Sequence, residues 1–167
     1  MAVLDILTIP DERLKRKAKR VVNIHAVQPF IDDLIDTLYS TGKGIGIAAT
    51  QVGSQHAIMI IDLSSTRDKP VIFINPELVE QIGEYEGIEG CLSIPNFRNR
   101  VIRYKQVKVT ALNREGEPFE VETDEFLSVV LQHEIDHLNG VVFIDHLSEL
   151  KQKIALKKVK KWQAELV

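Results

Sequence analysis

FLSVVLQHEIDHLNG, residues Phe126 to Gly140, opens as an apolar run and closes on two histidines, a glutamate and an aspartate. Phe126, Leu127, Val129, Val130 and Leu131 cover most of the circumference of a helix, which implies that the helix is buried. Acidic residues at its start and Gly140 after its end predict limits near Asp124 and Asn139. Positions i and i+4 lie on one side of a helix, so His133 and His137 can aim both imidazoles at one point. Glu134, the next residue, can stand beside that point without binding there and take a proton from a water. Two satisfied core histidines beside a surface glutamate would be the plainer arrangement. However, uncompensated polar groups at the end of a buried helix cost about 2–7 kcal/mol each. A metal ion satisfies both rings at once, and HExxH on a helix is a metal-site pattern.

Two ligands do not complete a site. A third histidine at the metzincin spacing is absent, because position 143 is Phe, and His146 lies three residues too far on. Glu149 and Glu165 fall in a lysine-rich final helix. The single cysteine, Cys91 in EGCLSIP, is left. A lone Cys is commonly a small buried apolar residue. Here Gly87 and Gly90 make the approach flexible, and Ser93 and Pro95 are expected to end the strand and expose the thiol at a turn. One thiolate and two imidazoles leave a fourth position for water, the pattern of a catalytic site.

Outward from this centre, PFIDDLIDTLYSTG predicts a helix from Gln28 to about Gly42, with Phe30, Ile31, Leu34, Ile35, Leu38 and Tyr39 on one face. A glycine-rich loop, GKGIGIAATQVGS, follows. Short branched-residue runs then predict strands in HAIMIID, PVIFINPELVEQ, GEYEGIEG, RVIRYK, VKVTAL and PFEVET. No helix-length crossover separates them, so antiparallel pairing is expected. A last helix starts near Ser148. Leu150, Ile154, Val159, Trp162 and Leu166 form its expected apolar stripe, and its six lysines from Lys151 to Lys161 read as a solvated face. The fold class is α+β: antiparallel sheets packed around a central HExxH helix, with a C-terminal helix.

At 167 residues the chain is expected to form one domain, 1–167. A net charge of −3 with 27% charged residues does not suggest a protein that coats nucleic acid or membrane. One cysteine excludes an internal disulfide framework and fits a reducing cytosol. The first residues, MAVLDILTIPDERLKRK, lack the order of a signal peptide. No apolar run approaches the roughly 20 residues of a membrane helix. A cytoplasmic location follows as an expectation.

Taken in order, GIGIAATQ (Gly44–Gln51), EGCLS (Glu89–Ser93) and QHEIDHLNG (Gln132–Gly140) resemble the three motifs of peptide deformylases. IPDERL near the start and the C-terminal helix extend the resemblance over the whole chain, toward the bacterial type I branch. The first motif is no phosphate loop, since GK is followed by Gly44, and no dinucleotide fingerprint, since it follows a helix. The resemblance implies removal of the formyl group from the N-terminal methionine of newly made peptides, with release of formate. Cys91, His133 and His137 would hold one divalent ion, with Fe²⁺ expected in the cell and Zn²⁺, Ni²⁺ or Co²⁺ in preparations. Glu134 would shuttle the proton, and the Gln51 side chain and the Leu92 N–H would hold the developing oxyanion. By the same resemblance, Ile45, Ile88, Phe126 and Val129 line the methionine pocket, and the backbone near Gly46 pairs with the extended peptide. Arg98 contacts the peptide further along, with Arg100 or Arg103 as alternatives. Asp136 is expected to be structural, paired with an arginine. The resemblance also implies contact of the last helix with the ribosome, for which its lysines are suited, and the chain is expected to be a monomer.

Overall fold

Strand β2 (Ile58–Ile61) is buried at all four residues, and its alternation explains the layering of the molecule. In the computed structural model, which describes residues 2–166, Ile58 and Ile60 face helix α1 (Gln28–Ser40), together with Ile31, Leu34 and Leu38. Met59 and Ile61 face the other way, toward Val130 and Leu131 of helix α2 (Glu125–Leu138). One sheet thus separates two helices, each supplying an apolar face.

The other strands are β1 (Gly46–Ala48), β3 (Val71–Ile82), β4 (Tyr85–Cys91), β5 (Ile94–Arg103), β6 (Gln106–Leu112) and β7 (Pro118–Asp124). They form a five-stranded sheet in the order β1-β2-β3-β6-β7 and a two-stranded sheet of β4 and β5. Every strand pair is antiparallel, as the short separations predict. Helix α3 (Glu149–Glu165) follows a short 3₁₀ turn at Phe143–His146 and packs on β5, where Ala155 and Val159 meet Ile94, Phe97 and Val101. Ser148 caps α3 by accepting from Lys151 N. Among the described residues no helix is long and apolar enough to cross a membrane.

Four local readings of the sequence are corrected. The glycine-rich segment is not all loop, because Gly46–Ala48 forms the edge strand β1 and Ala49–Val52 a 3₁₀ turn. Ser93 and Pro95 do not end a strand; β5 runs from Ile94 through Pro95, and the segment first predicted from Arg100 is only its far half. Proline is tolerated because Cys91 pairs with Ile94 while Gly90 pairs with Arg98, which leaves Pro95 to Phe97 in a bulge that needs no ladder donor. The buried side of α3 carries Ala155 and Val159, with Leu156 beside them, whereas Leu150, Ile154 and Leu166 are exposed. Finally, α2 is not buried from its first turn, since Phe126 is 56% exposed.

Candidate metal centre

Helix α2 sets His133 and His137 one turn apart, with ring centroids 5.0 Å from each other in an edge-to-face arrangement. The β4–β5 hairpin brings in the third group. Its two turn residues are Leu92 and Ser93, so Cys91 stands at the last paired position of β4. Cys91 Sγ lies 3.2 Å from His137 Nε2, and one ligand atom from each of Cys91, His133 and His137 lies within 4.8 Å of the others. The expected convergence of a distant thiol on the histidine pair is present.

These residues fit a cation. His137 is fully buried and turns Nε2 toward Cys91 Sγ, so that nitrogen is the one available to an ion. Burial, with the charges of His133 and Arg103 adding, holds its pKa well below the ordinary value, so the ring is a neutral donor. His133 behaves oppositely. Burial alone would lower its pKa, but hydrogen bonding to Cys91 and Glu89 raises it well above the usual value. The space between the sulfur and the rings therefore favours positive charge, which a soft S,N,N donor set can give to one divalent ion.

Glu89 organises the side away from the sulfur, a role the motif alone did not reveal. Its Oε1 is 2.9 Å from His133 Nδ1, which leaves Nε2 for the centre. Arg103 donates to both Glu89 oxygens at 2.8 Å, and its Nη1 donates to Asp136 at 2.5 Å. His146 Nε2 lies 2.9 Å from the same Asp136 oxygen. Burial pushes the Glu89 pKa up, yet the bonds from Arg103 and His133 outweigh it and leave the value at about 2. The signal was available in period two, because Glu89 and Cys91 share a face of β4. Arg103, one alternative for peptide contact, is corrected: it is 6% exposed and committed to Glu89 and Asp136. The expected arginine partner of Asp136 is this same residue.

Glu134 sits beside the cluster, 5% exposed, with Oε1 unpartnered among the described residues. Burial raises its pKa to about 7, which suits a group that takes and returns a proton near neutrality. Its other oxygen explains Gly46: a Cβ on that residue would stand 2.7 Å from Glu134 Oε2. Gln51 is locked in place. Its Oε1 accepts from Ala48 N at 2.9 Å, while Nε2 donates to Ser93 Oγ at 3.1 Å and toward Cys91 Sγ at 3.6 Å. Leu92 presents its side chain to Gly44, where an added Cβ would be 3.0 Å from Leu92 Cδ1.

Of the residues expected around the peptide, Val129 is buried, Ile45 is partly buried, and Ile88 and Phe126 are exposed by 59% and 56%. Val129 Cγ2 would lie 3.9 Å from a Cβ at Gly87, so β4 passes close to this side of α2. Arg98 is exposed and its side chain lies along Gly90, while Arg100 is exposed and 3.6 Å from Glu86.

Comparison with known proteins gives a consistent result. A family model described as polypeptide deformylase matches residues 3–153. Peptide deformylase 3 of Shewanella oneidensis is 67% identical over 162 residues, 97% of this chain and 99% of that protein. Peptide deformylase 2 of Vibrio cholerae is 56% identical over 161 residues, 96% of each chain. Among solved structures, a peptide deformylase from Legionella pneumophila superposes with a TM-score of 0.94 at 41% identity, covering 99% of this chain and 98% of its own. One from Ehrlichia chaffeensis, solved with actinonin, gives 0.91 at 34%, covering 96% and 98%. A thiol brought to an HExxH pair by a hairpin turn, within a fold this similar over nearly its full length, places the chain in the polypeptide deformylase family.

Proposed function

We propose that this enzyme removes the N-formyl group from the N-terminal methionine of newly synthesised proteins, releasing formate, and that Glu134 carries the proton. The observation that carries this reading is the unpartnered, buried Glu134 Oε1 beside the Cys91–His133–His137 cluster. Cys91 Sγ and the Nε2 atoms of His133 and His137 would hold one divalent ion, which would supply Lewis acidity when bound. Glu134 accepts the proton of the attacking water and passes it to the leaving amide nitrogen, which becomes the free amine. Gln51 Nε2 and Leu92 N–H donate to the oxygen that gains negative charge. Glu89 and Arg103 hold the His133 tautomer throughout.

Strand β1 ends the five-stranded sheet and, among the described residues, pairs only on its β2 side. Its other edge suits an extended peptide, with the backbone near Gly46 supplying the pairing groups. Ile45, Ile88, Phe126 and Val129 offer apolar surface for the methionine side chain, and exposed Arg98 reaches residues further along. The thiolate and imidazoles suit several first-row ions, and we take Fe²⁺ as the ion in the cell, with Zn²⁺, Ni²⁺ or Co²⁺ as replacements. The six lysines of α3 are all exposed, which supports contact with the phosphates of ribosomal RNA by a monomeric, cytoplasmic enzyme.

An anaerobic assay decides the central point. Formyl-Met-Ala-Ser should release one formate per new amine in a sample whose metal content is measured, and unformylated Met-Ala-Ser should stay intact. Cleavage of internal bonds in the unformylated peptide would replace this reading with a peptidase.

A further inference from the structure

The segment between β2 and β3, DLSSTRD (Asp62–Asp68), carries no role in the chemistry above, yet it grips the lead-in to β1 at several points. Asp62 N donates to Ile45 O at 2.8 Å. The Asp62 carboxylate accepts from Tyr39 Oη at 2.6 Å, Ser64 N at 2.8 Å and Lys69 N at 3.1 Å. Arg67 adopts φ +55°, a left-handed conformation that a non-glycine residue rarely holds without compensation. The compensation is visible. Its guanidinium lies 5.3 Å over the Tyr39 ring, Nη1 donates to Gly44 O at 2.9 Å, and Nη2 donates to Leu38 O at 3.2 Å.

We propose that Arg67 is a positioning residue for the substrate: it holds Lys43 to Ile45 in the shape against which the extended formyl peptide pairs. This rests on the reading that the free edge of β1 receives the peptide. The argument turns on what else anchors the two halves of this segment. Ile47 and Ala48 are fully buried and paired with β2, and Gln51 is tied to Ala48 and Ser93. The catalytic side of the segment is therefore set by the core. The upstream side turns at Gly42, φ +71°, where Thr41 Oγ1 accepts from Lys43 N and Gly44 N. Arg67 is the group that ties the Gly44 carbonyl back to the end of α1. Only a planar fork can serve two carbonyls while lying on a ring, so lysine cannot substitute. Loss of Arg67 should loosen peptide docking and leave proton transfer at Glu134 intact.

The test compares formyl-Met-Ala-Ser with formyl-Met-amide, which lacks downstream backbone, on the metal-loaded enzyme. In Arg67→Ala, KM for the tripeptide should rise about tenfold, the factor expected for losing charge-assisted hydrogen bonds, with kcat within about twofold. KM for the amide should change little. Arg67→Lys, which keeps the charge, should behave like Arg67→Ala, and millimolar guanidinium should restore part of the KM of Arg67→Ala. An unchanged tripeptide KM, or equal losses for both substrates without guanidinium rescue, overturns the positioning role. Equal KM values for the two substrates in the unsubstituted enzyme overturn the edge-pairing reading itself.

Discussion

Helices α1 and α2 lie on opposite faces of the same sheet, yet they solve different problems. Helix α1 buries Ile31, Leu34, Thr37 and Leu38, and apart from one hydroxyl its inner face is hydrocarbon. Helix α2 buries nine residues, and Ser128, Gln132, His133, Glu134 and His137 are among them. The first helix needs only a complementary apolar surface. The second needs partners for each buried polar atom, and Glu89 of β4 and the Tyr104 backbone supply several of them. Glu134 Oε1 and His137 Nδ1 are the exceptions among the described residues: the first stands beside the candidate metal centre, and the second is the ring nitrogen opposite the one that faces Cys91. The unsatisfied Glu134 oxygen lies where the proton transfer is proposed.

That contrast can be broken by substitution. Glu134→Ala should lower kcat by about 10³-fold, near 4 kcal/mol of barrier, while metal content stays unchanged. Because it removes a buried carboxylate lacking a full set of partners, it should also raise the Tm. An unaltered kcat would remove Glu134 from the reaction. Leu34→Ala, on the other helix, should cost about 2–5 kcal/mol of unfolding free energy in urea, with metal affinity unaffected in the folded fraction. A shifted metal affinity there would mean that the two faces of the sheet are coupled.

Glu89→Gln probes the polar side at smaller amplitude. The metal should be lost to a chelator at about 10- to 100-fold lower chelator concentration, because His133 loses its charged anchor. Retention equal to that of the unsubstituted enzyme would make the Glu89–His133 contact incidental. Asp62 should give the smallest effect, on the α1 side. Burial pushes its pKa up, but bonds from Ser64, Tyr39 and Lys69 N win and leave it at about 2, while Tyr39 is pushed to about 12 by burial and by this carboxylate. A carboxyl whose folded pKa is depressed stabilises the protein above its unfolded pKa of about 4 and loses that contribution as pH falls toward about 2. Asp62→Asn should therefore flatten the stability profile in this acid window. A profile that keeps its slope there would assign the acid loss to other groups.

The sequence was most legible where a period and a chemistry coincided. Helical spacing located α1 and α2 within a few residues, and alternation located most strands. HExxH pointed to the metal by itself, and elimination pointed to Cys91. The bulge at Pro95 to Phe97 escaped because a proline reads as a strand end unless the partner strand is known to skip it. The stripe assigned to α3 was right at Val159 but not at Leu150, Ile154 or Leu166, because apolar type does not report which side meets β5; Ala155 is buried while those three face solvent. Arg103 was indistinguishable in type from its neighbours Arg98 and Arg100. Only β5's approach to Glu89 and Asp136 takes it out of solvent.

By itself, then, the chain's order of residues located most of the elements and pointed to the candidate donor atoms, because backbone periodicity and ligand chemistry are local properties. Tertiary structure alone decided how the two buried carboxylates differ in charge. Glu89 and Glu134 are the same residue type, but Arg103 and His133 hold one near 2 and burial without partners lifts the other to about 7. That division depends on neighbours brought from distant positions, and no spacing within either motif encodes it.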